Sequence, residues 1–72
     1  MQMREAPWKD FDGKTIFEGD TIRHPDGNYG VVIFDNRFYQ LTDQWLVLYK
    51  DSTMGRLCLQ IGEAGQAVVI SN

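Results

Sequence analysis

In His24-Pro25-Asp26-Gly27-Asn28 the backbone has little choice but to reverse direction. Proline presets the angle needed at the second position of a type I turn, Asp26 can accept from a downstream backbone N–H, and Gly27 adopts a left-handed conformation at little steric cost. The runs on either side are strand-like. Before it, Ile16 and Ile22 share parity, with Glu18-Gly19-Asp20 between them as a bend or bulge. After it, Gly30-Val31-Val32-Ile33-Phe34 is β-branched and aromatic, the composition of a strand buried on at least one face. A hairpin with a short bulged loop follows, and its second strand is expected at the centre of the core.

The remaining segments extend this hairpin. Asp35-Asn36 is a two-residue turn signal and leads into a short run, Arg37 to Leu41, with Phe38, Tyr39 and Leu41. Trp45-Leu46-Val47-Leu48-Tyr49 is apolar at both parities, so alternation does not assign its faces. One side is expected to face the interior and the other the amino-terminal arm or a neighbouring molecule. Asp51 to Gly55 is a polar loop, and Arg56 to Ile61 alternates, which predicts a strand with Leu57, Leu59 and Ile61 inward. Gly62-Glu63-Ala64-Gly65 turns the chain again. A last strand over Gln66 to Ser71 has Val68 and Ile70 on one face and Ala67 and Val69 on the other.

No helix of ordinary length can be placed. The expected class is therefore all-β: five to six short strands in a small antiparallel barrel over residues 12–72, preceded by a loose arm over residues 1–11. Trp8 and Phe11 are the arm's exceptions, and Trp8 is expected to cap an open end of the barrel or to serve as a recognition aromatic. With 72 residues there is little core to spare, because a chain near this size buries only about 60% of the surface its unfolded form exposes. Nine aromatics, two Trp, three Tyr and four Phe, supply much of what burial there is.

Composition also narrows function. Cys58 is alone, so no internal disulfide can form and a reducing cytoplasm is expected. No signal peptide is expected, and no run approaches the roughly 20 apolar residues of a membrane-spanning helix. Ten acids and seven bases, net −3, are mixed along the chain without a basic stripe, so nucleic acid is a weaker expectation than protein as a partner.

The stretch Asp12-Gly13-Lys14, then Ile16-Phe17-Glu18-Gly19-Asp20-Thr21-Ile22, then Gly30-Val31-Val32 with Phe34-Asp35, resembles the YopX family of phage and prophage proteins. That family carries an NGK-x-I-[YF]-E-G-D-[IV]-V stretch followed by a G-x-V-x-[FY] strand. The likeness covers about a third of the chain. It does not extend to the tail from Gly62 to Asn72, which lacks the G-N-I-[YH]-E-N-P ending. A more distant likeness links the same glycines to KOW-type barrels. The resemblance implies an SH3-like barrel of bacteriophage or prophage origin and implies no catalytic residues.

The side chains agree in offering little chemistry. His24 is the only histidine; Asp20, His24, Asp26 and Asp35 could meet across the hairpin, but the expected reading is turn and cap residues rather than a metal site. Cys58 would need a base beside it to act as a nucleophile. Gly62-x-x-Gly65 has neither the lysine nor the helix of a phosphate loop. No catalytic residue, metal or cofactor is expected. Binding is, through Trp8, Phe17, Tyr29, Tyr39, Trp45 and Tyr49, with Arg23 and Arg37, in a host-modulating interaction module that could also self-associate. The alternative is a nucleic-acid-binding barrel in which Lys14, Arg23, Arg37, Lys50 and Arg56 reach phosphates.

Overall fold

The computed structural model describes residues 3–71. Met1 and Gln2 of the expected arm, and Asn72, lie outside them. Seven strands form two antiparallel sheets: β1 (Glu5–Lys9) with β2 (Thr15–Phe17), and a larger sheet of β3 (Thr21–Arg23), β4 (Tyr29–Phe34), β5 (Trp45–Tyr49), β6 (Met54–Arg56) and β7 (Val68–Ser71) in the order β6-β5-β4-β3-β7. One-turn helices α1 (Leu41–Gln44) and α2 (Leu57–Gln60) precede and follow the β5-β6 hairpin. The all-β antiparallel class is as expected.

The hairpin at the centre forms as its turn chemistry dictates. His24 N–H donates to Asn28 O (2.8 Å), Gly27 N–H to His24 O (2.9 Å), and Asn28 N–H to Asp26 Oδ1 (2.9 Å), with Gly27 at φ 93°. Register then pairs Ile22 with Gly30 and Val32 with Val47. Gly30 is a point of close approach: a Cβ there would lie 2.7 Å from both Leu48 O and Val47 Cγ1. Ile16, Ile22, Val32, Val47 and Leu57 are fully buried, each contributing about 1.5–3 kcal/mol, and Trp45 fills the space between them and Phe34. The Phe34 and Trp45 rings meet edge-on, centroids 5.1 Å apart.

Backbone bonds fasten the small sheet to the large one. Gly19 N–H donates to Val32 O and Val32 N–H to Asp20 O, while Phe11 N–H reaches Ala67 O. Asp20, itself buried, accepts from Phe17 N–H and so holds the β2-β3 corner. Asp10 does more. Its Oδ1 accepts from Asp12 and Lys14 N–H and its Oδ2 from Val69 N–H, joining the start of the fold to its last strand.

Three expectations need correction. Residues 5–9 are not a loose arm but strand β1, because Ala6 enters the core and Trp8 packs half-buried against it, offsetting the entropy of ordering the segment. Pro7 is exposed in this edge strand, where its missing N–H costs nothing. Residues 37–41 are not a strand: Asp35 Oδ1 accepts from Arg37 N–H, Gln44 Nε2 donates to Phe38 O, and Leu41 opens α1. The strand read over residues 56–61 ends at Arg56; Leu57 and Ile61 are buried one helical turn apart, and Leu59 is 60% exposed. Leu57 and Ile61 satisfy both periods, so only Leu59 distinguishes them. At the last strand, whose two faces alternation left unassigned, Ala67 just before β7 and Val69 within it are inward and Ile70 is exposed.

Candidate interaction surface

Between β4 and β5 the chain leaves the core and returns over residues 35–44. The neck closes where Asp35 N–H donates to Gln44 O (2.8 Å), and α1 is started by Asp43 and Gln44 N–H donating to Gln40 O. Inside the loop Asp35 Oδ1 accepts from Arg37 N–H (3.0 Å), the guanidinium adds a two-toothed pair with Nη2 at 2.6 Å from Oδ2, and Gln44 Nε2 donates to Phe38 O (2.8 Å). The backbone is thus held without any help from three of the side chains between these anchors. Those side chains are Phe38, Tyr39 and Leu41, exposed by 45%, 101% and 49%. Three large apolar groups on a fixed loop in so small a domain form an outward apolar tip.

Arg37 lies on that loop, Arg56 pairs with its one-turn helix, and Arg4 stacks on Phe34 at the end of β4. Arg56 Nη2 lies 2.9 Å from Asp43 Oδ1, and the Arg4 guanidinium sits 4.0 Å above the Phe34 ring, with Glu18 3.9 Å from its Nε. In each of these three ion pairs the arginine is the more exposed partner. The guanidinium of Arg37, and after it the Arg37 backbone N–H, hold the Asp35 carboxyl at about 2, below the ordinary 3.8. A carboxyl depressed on folding adds stability that is present above the unfolded value near 3.8 and is lost as pH falls from there through about 2. Arg37→Ala is therefore expected to bring the Asp35 midpoint back toward 3.8 in a carbon-13 carboxyl titration. A midpoint left near 2 would refute this origin.

A second exposed surface is the outer face of the large sheet. Register places Val31 beside Leu48 and Leu48 beside Met54, all three exposed, with Ile33 and Leu46 half-buried in the next row. The β5 face left unassigned by alternation is this one, and β1 does not cover it. At one end Arg23 stands across from Tyr29, and Lys50 Nζ lies 5.9 Å from the Tyr29 ring centroid. A shallow cleft of about 270 Å³ runs between Tyr29, Leu48, Tyr49 and Lys50.

No family model, curated protein or solved structure matches this chain. Function is therefore read from the surface itself.

Of the residues expected to bind, the structure brings Arg23, Tyr29 and Tyr49 to one end of the sheet and puts Tyr39 and Arg37 on the tip at the other. Trp45 does not bind anything outside, being 2% exposed in the core, and Trp8 and Phe17 are half-buried. Phe38 and Leu41 were hidden from sequence reasoning by their resemblance to a strand. Among the described residues no three histidine, cysteine, aspartate or glutamate side chains converge. Both ring nitrogens of His24 are engaged, Nδ1 with Gly65 O at 2.7 Å and Nε2 with Tyr49 Oη at 2.5 Å, so the ring offers no free nitrogen to Cys58. No helix among the described residues is long and apolar enough to cross a membrane.

Proposed function

We propose that this chain is a protein-interaction module that docks through the tip formed by Phe38, Tyr39 and Leu41. The observation that carries this reading is the mismatch between a backbone held in place by Asp35 and Gln44 and the exposed apolar side chains it presents. Holding aromatic rings ready on an ordered loop lowers the entropy lost on binding, and tyrosine and arginine are the residues most often central to such contacts. The likeness of residues 12–35 to YopX proteins supports a phage or prophage accessory role, in which the partner is a host or phage protein in the bacterial cytoplasm.

The test is capture from host lysate by the intact chain and by a Phe38→Ser/Tyr39→Ser double variant. Substitution of two exposed side chains is expected to change stability by no more than about 1 kcal/mol. Specific partners should be lost from the variant while its urea midpoint stays near the parent's. Identical partner sets would defeat the reading.

One arrangement favours a second reading. Tyr29, flanked by Arg23 and Lys50, has the make-up of a stacking platform with phosphate contacts. Retardation of single-stranded DNA or RNA that weakens with salt and disappears in Tyr29→Ala would support it. Its weakness is charge: Arg4, Arg37 and Arg56 are each paired with a carboxylate and have less to offer a phosphate.

A further inference from the structure

Away from the tip, three segments of chain are joined through the single histidine. The Gly65 carbonyl can only accept, so His24 Nδ1 carries a proton whenever that bond is made. On the other side Nε2 faces Tyr49 Oη, and the same phenol donates to Gln60 Oε1 at 2.6 Å. A phenol has one proton to give. With Tyr49 donating to Gln60, Nε2 must donate to Tyr49, and the imidazole then bears protons on both nitrogens.

Removing the Nε2 proton to solvent reverses the chain of donors. Nε2 becomes an acceptor, Tyr49 must turn its O–H toward it, and Gln60 Oε1 loses its donor. The carboxamide recovers a bond only by rotating to present its N–H to the phenol oxygen. We infer that His24, Tyr49 and Gln60 form a proton-reversible latch in which the orientation of the Gln60 side-chain amide follows the charge on His24. The absence of a side chain at Gly55 lets the carboxamide sit here: a Cβ there would lie 2.6 Å from Gln60 Nε2.

The surroundings leave the histidine as the switching group. Asp12, Asp26 and Arg23 are the charged residues lining the clefts beside its ring. From β5 the titratable neighbour is Tyr49, whose phenol is pushed up by burial and then by the Asp26 carboxylate, so it keeps its proton. The 62–66 turn and α2 contribute the neutral Gly65 and Gln60. The His24–Tyr49 and Tyr49–Gln60 contacts persist in both states with their direction exchanged, while Nδ1 donates to Gly65 O throughout. Tyr49 also borders the cleft beside Tyr29, so this end of the outer face is tied to the latch.

Nitrogen-15 NMR of the intact chain between about pH 5 and about pH 8, the interval in which histidine ordinarily changes charge, tests the latch. Nε2 should be the nitrogen that loses its proton, and the Gln60 side-chain amide signals should shift with the same midpoint. In Tyr49→Phe the His24 titration should remain and the Gln60 response should vanish. A flat Gln60 signal in the parent chain, loss of the proton from Nδ1 instead, or an unchanged Gln60 response in Tyr49→Phe would each overturn it. The parent titration decides even where Tyr49→Phe fails to fold.

Discussion

Asp10→Ala is expected to leave most of the chain unfolded at room temperature. The carboxylate is 5% exposed and accepts from three backbone N–H groups, at 3.0 Å from Asp12, 2.7 Å from Lys14 and 2.8 Å from Val69. Alanine abandons all three, and the Val69 group is in a buried position where water does not replace the lost acceptor. An orphaned buried group costs about 1–3 kcal/mol and each of the two less buried bonds contributes about 1 kcal/mol, so the sum is about 4 kcal/mol. A single small core supplies only about 3–5 kcal/mol of net stability. Urea melts followed by tryptophan fluorescence should show the transition lost or moved close to zero denaturant. Asp10→Asn, which keeps both the volume and one acceptor oxygen, should fall between the two. A variant within about 1 kcal/mol of the parent would show that solvent or a neighbouring group takes over the carboxylate's role.

The second large effect is expected at Gly65. A Cβ at this position would sit 2.1 Å from Gln60 O and 2.8 Å from Gln60 Cα. These are backbone atoms and cannot swing aside as a side-chain end would. The turn is fixed on both sides of the clash, by Gln66 N–H donating to Gly62 O (2.7 Å) and by Ala67 N–H donating to that same Gln60 O (2.9 Å). Gly65→Ala must therefore push the turn outward, stretching the bond that starts the last strand and moving the carbonyl that holds His24. Forced overpacking of this kind costs about 3 kcal/mol. Gly62→Ala is the control, because its nearest atom would be an ordinary 3.5 Å away, and its effect should stay below about 1 kcal/mol. Equal urea midpoints for the two variants would rule out the steric account.

What could be read from the sequence was whatever local chemistry decides. Proline, aspartate and glycine in residues 25–27 set their turn without reference to the rest of the fold, and the β-branched run from Val31 to Ile33 marked a core strand. Residues 37–41 could not be read this way. Their apolar pattern is strand-like, and what prevents a strand is a pair of polar side chains, Asp35 and Gln44, whose backbone partners are visible only in three dimensions. Leu57 and Ile61 fit periods of two and of 3.6 equally, so the helical turn was ambiguous in principle. Asp10 had no signal at all, because its decisive partner is 59 positions away. The same holds for the surface: Tyr39 was named from its type, whereas Phe38 and Leu41 became candidates only when the core was seen to exclude them.

The bond from Asp10 to Val69 and the seating of β7 against β3 also fix when the fold can form. Until residue 69 has left the ribosome, Asp10 lacks a ligand it needs and one side of β3 has no neighbour, so a nascent chain holds its hairpins without sealing them. Folding therefore waits for translation to pass the final strand. A stalled chain ending before Val68 should remain open to protease, while one continued through a flexible extension past Ser71 should resist it.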